Sequence, residues 1–76
     1  MTIDETLDTS GLLCPLPVLK ARKRLRQMMA GQVLQVLATD PAAIIDIPHF
    51  CAEGGHALLS MQDAEDGSQI YLIRKN

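Results

Sequence analysis

The chain has 76 residues, enough for one domain spanning 1–76 and too few for a second. Its apolar fraction of 47% and charged fraction of 21% are ordinary for a folded domain, so neither disorder nor a large internal cavity is expected. Seven Lys+Arg against nine Asp+Glu give a net charge of −2, and with no Trp, one Phe and one Tyr the composition argues against direct nucleic-acid binding.

From the amino end, residues 3–9 read as a first strand in which Ile3 and Leu7 alternate imperfectly with polar neighbours. Ser10-Gly11 breaks it. From Pro15 to Ala30 the spacing turns helical, with Val18, Ala21, Leu25, Met28 and Met29 on one apolar face. Gly31 is a natural stop. Residues 32–38 are a β-branched, apolar run of strand length, so strand, helix and strand suggest a parallel βαβ unit with a right-handed crossover.

Thr39-Asp40-Pro41 signals a helix entry, with Asp40 as cap and Pro41 at the first helical position. That helix runs to about Glu53 and ends at Gly54-Gly55. Pro48 sits inside it; either it kinks the helix, or residues 41–46 form a separate turn. Residues 56–62 and 69–75 are two further strands joined by a polar turn at 63–68, an antiparallel hairpin. The order βαβαββ, with one apolar face per helix, predicts an α/β (α+β) two-layer sandwich: two helices packed on one face of a four-stranded mixed sheet.

Two cysteines cannot supply the framework of a disulfide-rich secreted domain. No basic segment followed by an apolar run opens the chain, and no apolar stretch is long enough to span a bilayer. The expectation is a cytoplasmic protein with reduced thiols and no membrane association. A metal site is not expected, because Cys14 stands far from Cys51, His49 and His56.

The segment that carries chemistry is Gly11-Leu-Leu-Cys14-Pro15-Leu16-Pro17-Val18-Leu19. Pro15 suits the first helical position, which places Cys14 at the N-cap, facing the positive end of the helix dipole. Pro17 removes one first-turn amide, and Leu16 and Val18 supply those that remain. Such a location lowers a thiol pKa toward neutrality and favours the nucleophilic thiolate. The plainer reading is a small buried hydrophobe beside a stiff turn.

The run Gly11-Leu-x-Cys14-Pro15-x-Pro17-Val18-Leu19 resembles the CPxP signature of the TusA/SirA-type sulfur carriers. The likeness continues through Asp40-Pro41-Ala42, Asp46-Ile47-Pro48-x-Phe50-Cys51, Gly55-His56-x-Leu58 and Tyr71-x-Ile73-Arg74-Lys75, in order from about Leu7. The resemblance implies the same βαβαββ sandwich and a persulfide relay. In it, Cys14 accepts sulfane sulfur from a cysteine desulfurase or a rhodanese and passes it to an acceptor protein, with no cofactor of its own. Pro15, Leu16, Pro17 and Val18 would form the persulfide environment, and the protein would be a monomer in transient heterocomplexes. The match in the second helix and at the carboxyl end favours the branch that feeds wobble 2-thiouridine formation in tRNA. Leu16 departs from the acidic residue often found there in that branch, so supply to molybdenum-cofactor enzymes or to sulfur oxidation stays open.

Lys20, Arg22, Lys23, Arg24 and Arg26 lie on the first helix, and every acidic residue lies outside it. Such a helix is commonly a solvated face; here the asymmetry beside Cys14 suggests docking of acidic partner surfaces. Cys51, near Ile44, Ile47 and Phe50, reads as an inert buried thiol, His56 as a structural hydrogen-bonding residue and His49 as surface. Two other classes compete: a binding or regulatory module in which Cys14 is incidental, and a redox sensor pairing Cys14 with Cys51.

Overall fold

The computed structural model describes residues 2–76. Six elements follow in the expected order: β1 (Glu5–Asp8), α1 (Leu16–Arg26), β2 (Val33–Ala38), α2 (Ala43–Gly54), β3 (Ala57–Asp63) and β4 (Gln69–Arg74). The sheet order is β1-β2-β4-β3. β1 runs parallel to β2, pairing Glu5 with Leu34 and Asp8 with Leu37, so α1 is the crossover of a βαβ unit. β4 lies antiparallel to both β2 and β3, and β3 carries an irregularity between Leu58 and Ser60.

Period-two alternation decides which side of the sheet is covered. Leu34, Val36 and Ala38 of β2, with Tyr71 and Ile73 of β4, are fully buried and pack against Ala21, Leu25 and Met28 of the first helical region and Ala43, Ile47 and Cys51 of α2. The intervening Gln35, Leu37, Ile70 and Leu72 are only half-buried, as expected of a face with no second layer.

Both helices depart from the expected bounds. α1 stops at Arg26 rather than Ala30, because other groups take its last hydrogen bonds. The Lys75 ammonium donates to the Leu25 carbonyl at 2.8 Å, and the Gln32 side chain accepts the Met29 N–H at 2.8 Å. Met28 still reaches the core, but Met29 is 73% exposed and does not belong to the apolar face. α2 starts at Ala43, after a turn at Pro41–Ala42, and runs through Pro48 to Gly54. Residues 41–46 do not form a separate turn, and Pro48 is accommodated inside one continuous helix. Gly55 ends the helix in the left-handed conformation (φ 74°), and the His56 N–H returns to the Cys51 carbonyl at 2.9 Å. Among the described residues no helix is long and apolar enough to cross a membrane.

Candidate functional site

The loop that leads into α1 is tied to the end of β2. Thr9 donates from both its N–H and its hydroxyl to the Leu37 carbonyl, at 2.8 and 2.6 Å, and the Gly11 N–H donates to the Thr39 hydroxyl at 2.9 Å. The third tie is the Cys14 N–H, which donates to the Asp40 carboxylate at 2.7 Å. The other oxygen of that carboxylate accepts the Ala42 N–H at 3.1 Å, and the Asp40 carbonyl accepts from the Ala43 N–H and the Gln69 amide, both at 3.0 Å. Gln69 in turn accepts from the Tyr71 hydroxyl at 2.5 Å. Pro41 lies in the turn before α2 and Ala42 is the N-cap, without a side-chain cap bond, so Asp40 is not the helix cap expected of it. It is 6% exposed and joins the cysteine loop, the start of α2 and the core strand β4.

Cys14 is exposed and Cys51 is buried, and both are free thiols. The N-cap of α1 is Pro15, not Cys14: the Leu16 N–H closes a turn onto the Leu13 carbonyl at 2.9 Å, so the helix begins one residue later than expected. The Cys14–Pro15 peptide is cis. Leu16 has thus spent its N–H and Pro17, fully buried, has none, leaving Val18 as the remaining first-turn donor. The expectation of a lowered thiol pKa is overturned accordingly. Cys14 is pushed up from the ordinary thiol range, first because the thiol donates to the Asp46 carboxylate, then by loss of hydration and by the negative charges of Asp46 and Asp40.

Cys14 opens onto a groove of about 270 Å³ shared with Pro15, Val18 and Arg22 of the α1 side and Asp46, His49, Phe50 and Glu53 of α2. The four α2 residues recur at three- and four-residue spacing, which puts them on one helix face. That spacing was the signal by which sequence could have found Asp46, His49 and Glu53. His49 is exposed, as expected, and is engaged with Glu53 one turn on. Leu13, 66% exposed, precedes the cysteine, and Ile45, 74% exposed, precedes Asp46. Leu16 is 44% exposed. Cys14 and Asp46 thus each have an exposed apolar neighbour in the chain, a composition suited to contact with another protein.

The five basic residues do not form one face. Lys20, Lys23 and Arg24 line a second groove with Leu7 and Gln27, and Arg24 is held by Glu5 at 3.1 Å. Arg22 faces the Cys14 groove, and Arg26 is exposed. Cys51 is 2% exposed, and burial pushes its thiol up to about 11. Ile47 and Phe50 share its surroundings as expected, but Ile44 is 41% exposed. The His56 ring accepts the Asn76 N–H at 3.0 Å, the structural role expected of it, and burial followed by the Lys75 charge lowers its pKa. No group of three or more His, Cys, Asp or Glu side chains that could hold a metal occurs among the described residues.

A family model described as Sulfurtransferase TusA matches residues 5–75. The sulfur carrier protein TusA of Pseudomonas entomophila is 51% identical over 72 residues, covering 95% of this chain and 89% of that protein. The sulfur carrier protein TusA of Allochromatium vinosum is 45% identical over 73 residues, covering 96% of this chain and 95% of that one. In three dimensions the chain is similar to the crystal structure of a SirA-like protein from Desulfitobacterium hafniense. The TM-score is 0.83 at 25% identity, covering 92% of this chain and 95% of the other.

Proposed function

The chain belongs to the TusA family of sulfur carrier proteins, and on that premise we propose that it carries sulfane sulfur as a persulfide on Cys14. The supporting observation is the placement of Cys14, an exposed thiol on an open groove, in a chain segment whose Leu13 and Leu16 are exposed as well. A relay between proteins needs a group that two different partners can reach in turn. Cys51, buried and titrating near 11, is unsuited to that work.

The transfer is an exchange at sulfur. Cys14 Sγ attacks the outer sulfur of a donor's persulfide, a new S–S bond forms as the donor's S–S bond breaks, and the donor cysteine leaves as a thiolate. The same chemistry run with the next partner hands the sulfur on. The donor is a cysteine desulfurase or rhodanese-type protein, and the acceptor a protein that leads to wobble 2-thiouridine in tRNA. Pro15, Pro17 and the Asp40 tie fix the loop, Leu16 and Val18 flank the sulfur, and Arg22 and Arg26 meet acidic partner surfaces.

The destination is tested by nucleoside analysis of tRNA from cells that lack this protein, complemented with wild type or Cys14→Ala. Loss of 2-thiouridine that only wild type restores is the expected result. Unchanged 2-thiouridine in the Cys14→Ala strain would send the sulfur to another acceptor.

A further inference from the structure

Two carboxylates flank Cys14. Asp40 reaches it from the β2–α2 loop and accepts its backbone N–H at 2.7 Å. Asp46 reaches the thiol from α2, across the groove that both line. The other charged or titratable groups on that groove are Arg22 of α1 and His49 and Glu53 of α2, and the last two are engaged with each other. The helix end offers little compensation, since Leu16 has committed its N–H and Pro17 has none. Lys20, Lys23 and Arg24, the other cations near the start of α1, line a different groove.

A thiolate formed at Cys14 would therefore stand beside negative charge. Yet a sulfur relay needs that thiolate at the moment of attack. We propose that the groove takes a cationic side chain of a partner protein, which docks against Asp46 and frees Cys14 for attack. The inference rests on the carrier reading above and adds what the partner must bring. In the free protein Asp46 keeps the thiol protonated and poorly reactive toward chance oxidants and electrophiles. A guanidinium or ammonium group on Asp46 offsets its charge, the Cys14 proton passes to solvent, and Sγ attacks the partner's outer sulfur as above. The departing donor thiolate then takes up a proton.

The test needs no sulfur donor, so its failure is distinct from failure of the carrier reading. Cys14 in wild type, Asp46→Asn and Asp46→Glu is treated with trimethylammonium-ethyl and with sulfonato-ethyl methanethiosulfonate, and rates are followed by intact mass. In each reaction Sγ forms a mixed disulfide and expels methanesulfinate. The expected result is that the ratio of cationic to anionic rates falls about threefold or more in Asp46→Asn and is kept in Asp46→Glu. Alkylation by neutral iodoacetamide at pH 7 should rise about threefold or more in Asp46→Asn, because loss of the carboxylate favours the thiolate. Asp46→Ser repeats both measurements should the Asn variant fold poorly. A rate ratio equal in wild type and both neutral variants, or an alkylation rate that neither raises, would overturn the proposal.

Discussion

Replacing Asp40 by Ala removes a buried acceptor from two backbone donors at once. The Cys14 and Ala42 N–H groups, at 2.7 and 3.1 Å from its two oxygens, both lose their partner. Hydrogen bonds to a charged acceptor contribute about 1.5–3 kcal/mol each, and the exposed position of Cys14 lets water recover part of one of them. The expected loss is about 2–4 kcal/mol. At roughly 0.05–0.15 kcal/mol per residue, a chain of 76 residues has only about 4–11 kcal/mol of stability to lose from. Each kcal/mol moves the melting temperature of so small a domain by about 4–8 °C, so Asp40→Ala should melt at least about 8 °C lower. Asp40→Asn, which keeps one acceptor oxygen, should lose about 1–2 kcal/mol. Urea and thermal unfolding by circular dichroism read the stability, and amide hydrogen exchange at Cys14 reads the tie itself. A loss under about 0.5 kcal/mol with unchanged exchange at Cys14 would refute the view that Asp40 anchors the cysteine loop.

Two other predictions concern pH and charge. Burial, with the charges of Asp63 and Asp40, pushes the Tyr71 phenol up to about 12, so folding favours its neutral form. The stability this provides is complete below the ordinary value near 10 and is lost as pH rises toward 12. Cys51, raised to about 11, adds a loss of the same sign that begins near pH 9. Tyr71→Phe should flatten the fall in urea midpoint above about pH 10, and at neutral pH should cost about 1–2 kcal/mol by leaving the Gln69 side-chain oxygen without its donor. An equally steep alkaline fall in that variant would contradict the assignment. Charge reversal of Arg22 and Arg26 together should slow sulfur transfer at low salt and weaken its salt dependence, as stopped-flow or quenched assays can show. Arg24 is left out of that test because it holds Glu5, and unchanged low-salt rates would remove the docking role of Arg22 and Arg26.

The fold was largely legible because the apolar spacing is clear in the central strands and along the first helix. The β2 run Val33–Ala38 and the β4 run Gln69–Arg74 carry the core, and the sandwich follows from one apolar face per helix. What the spacing could not show were the hydrogen bonds made by distant residues. α1 ends early because Lys75 and Gln32, outside the helix, take its last groups. Locally, Pro15 reads as a first helical residue, but a turn from Leu13 to Leu16 moves the helix start beyond the cysteine. The sign of the thiol shift was lost by the same route: Asp46 lies thirty-two positions along the chain, and only the packing of α2 beside α1 brings it to Cys14. The exposure of Cys14, the burial of Cys51 and the helical spacing of Asp46, His49 and Glu53 were readable from the chain; that this face of α2 lies opposite Cys14 was not.

Whether sulfur resides on Cys14 can be read by intact mass spectrometry after incubation with a cysteine desulfurase and cysteine, without reductant. Wild type, Cys14→Ser and Cys51→Ala would be run together, Ala being chosen because position 51 is buried. A reductant-labile gain of one sulfur atom is expected in wild type and Cys51→Ala, and none in Cys14→Ser. A gain that persists in Cys14→Ser, or no gain in wild type from either a desulfurase or a rhodanese donor, would contradict the carrier role of Cys14.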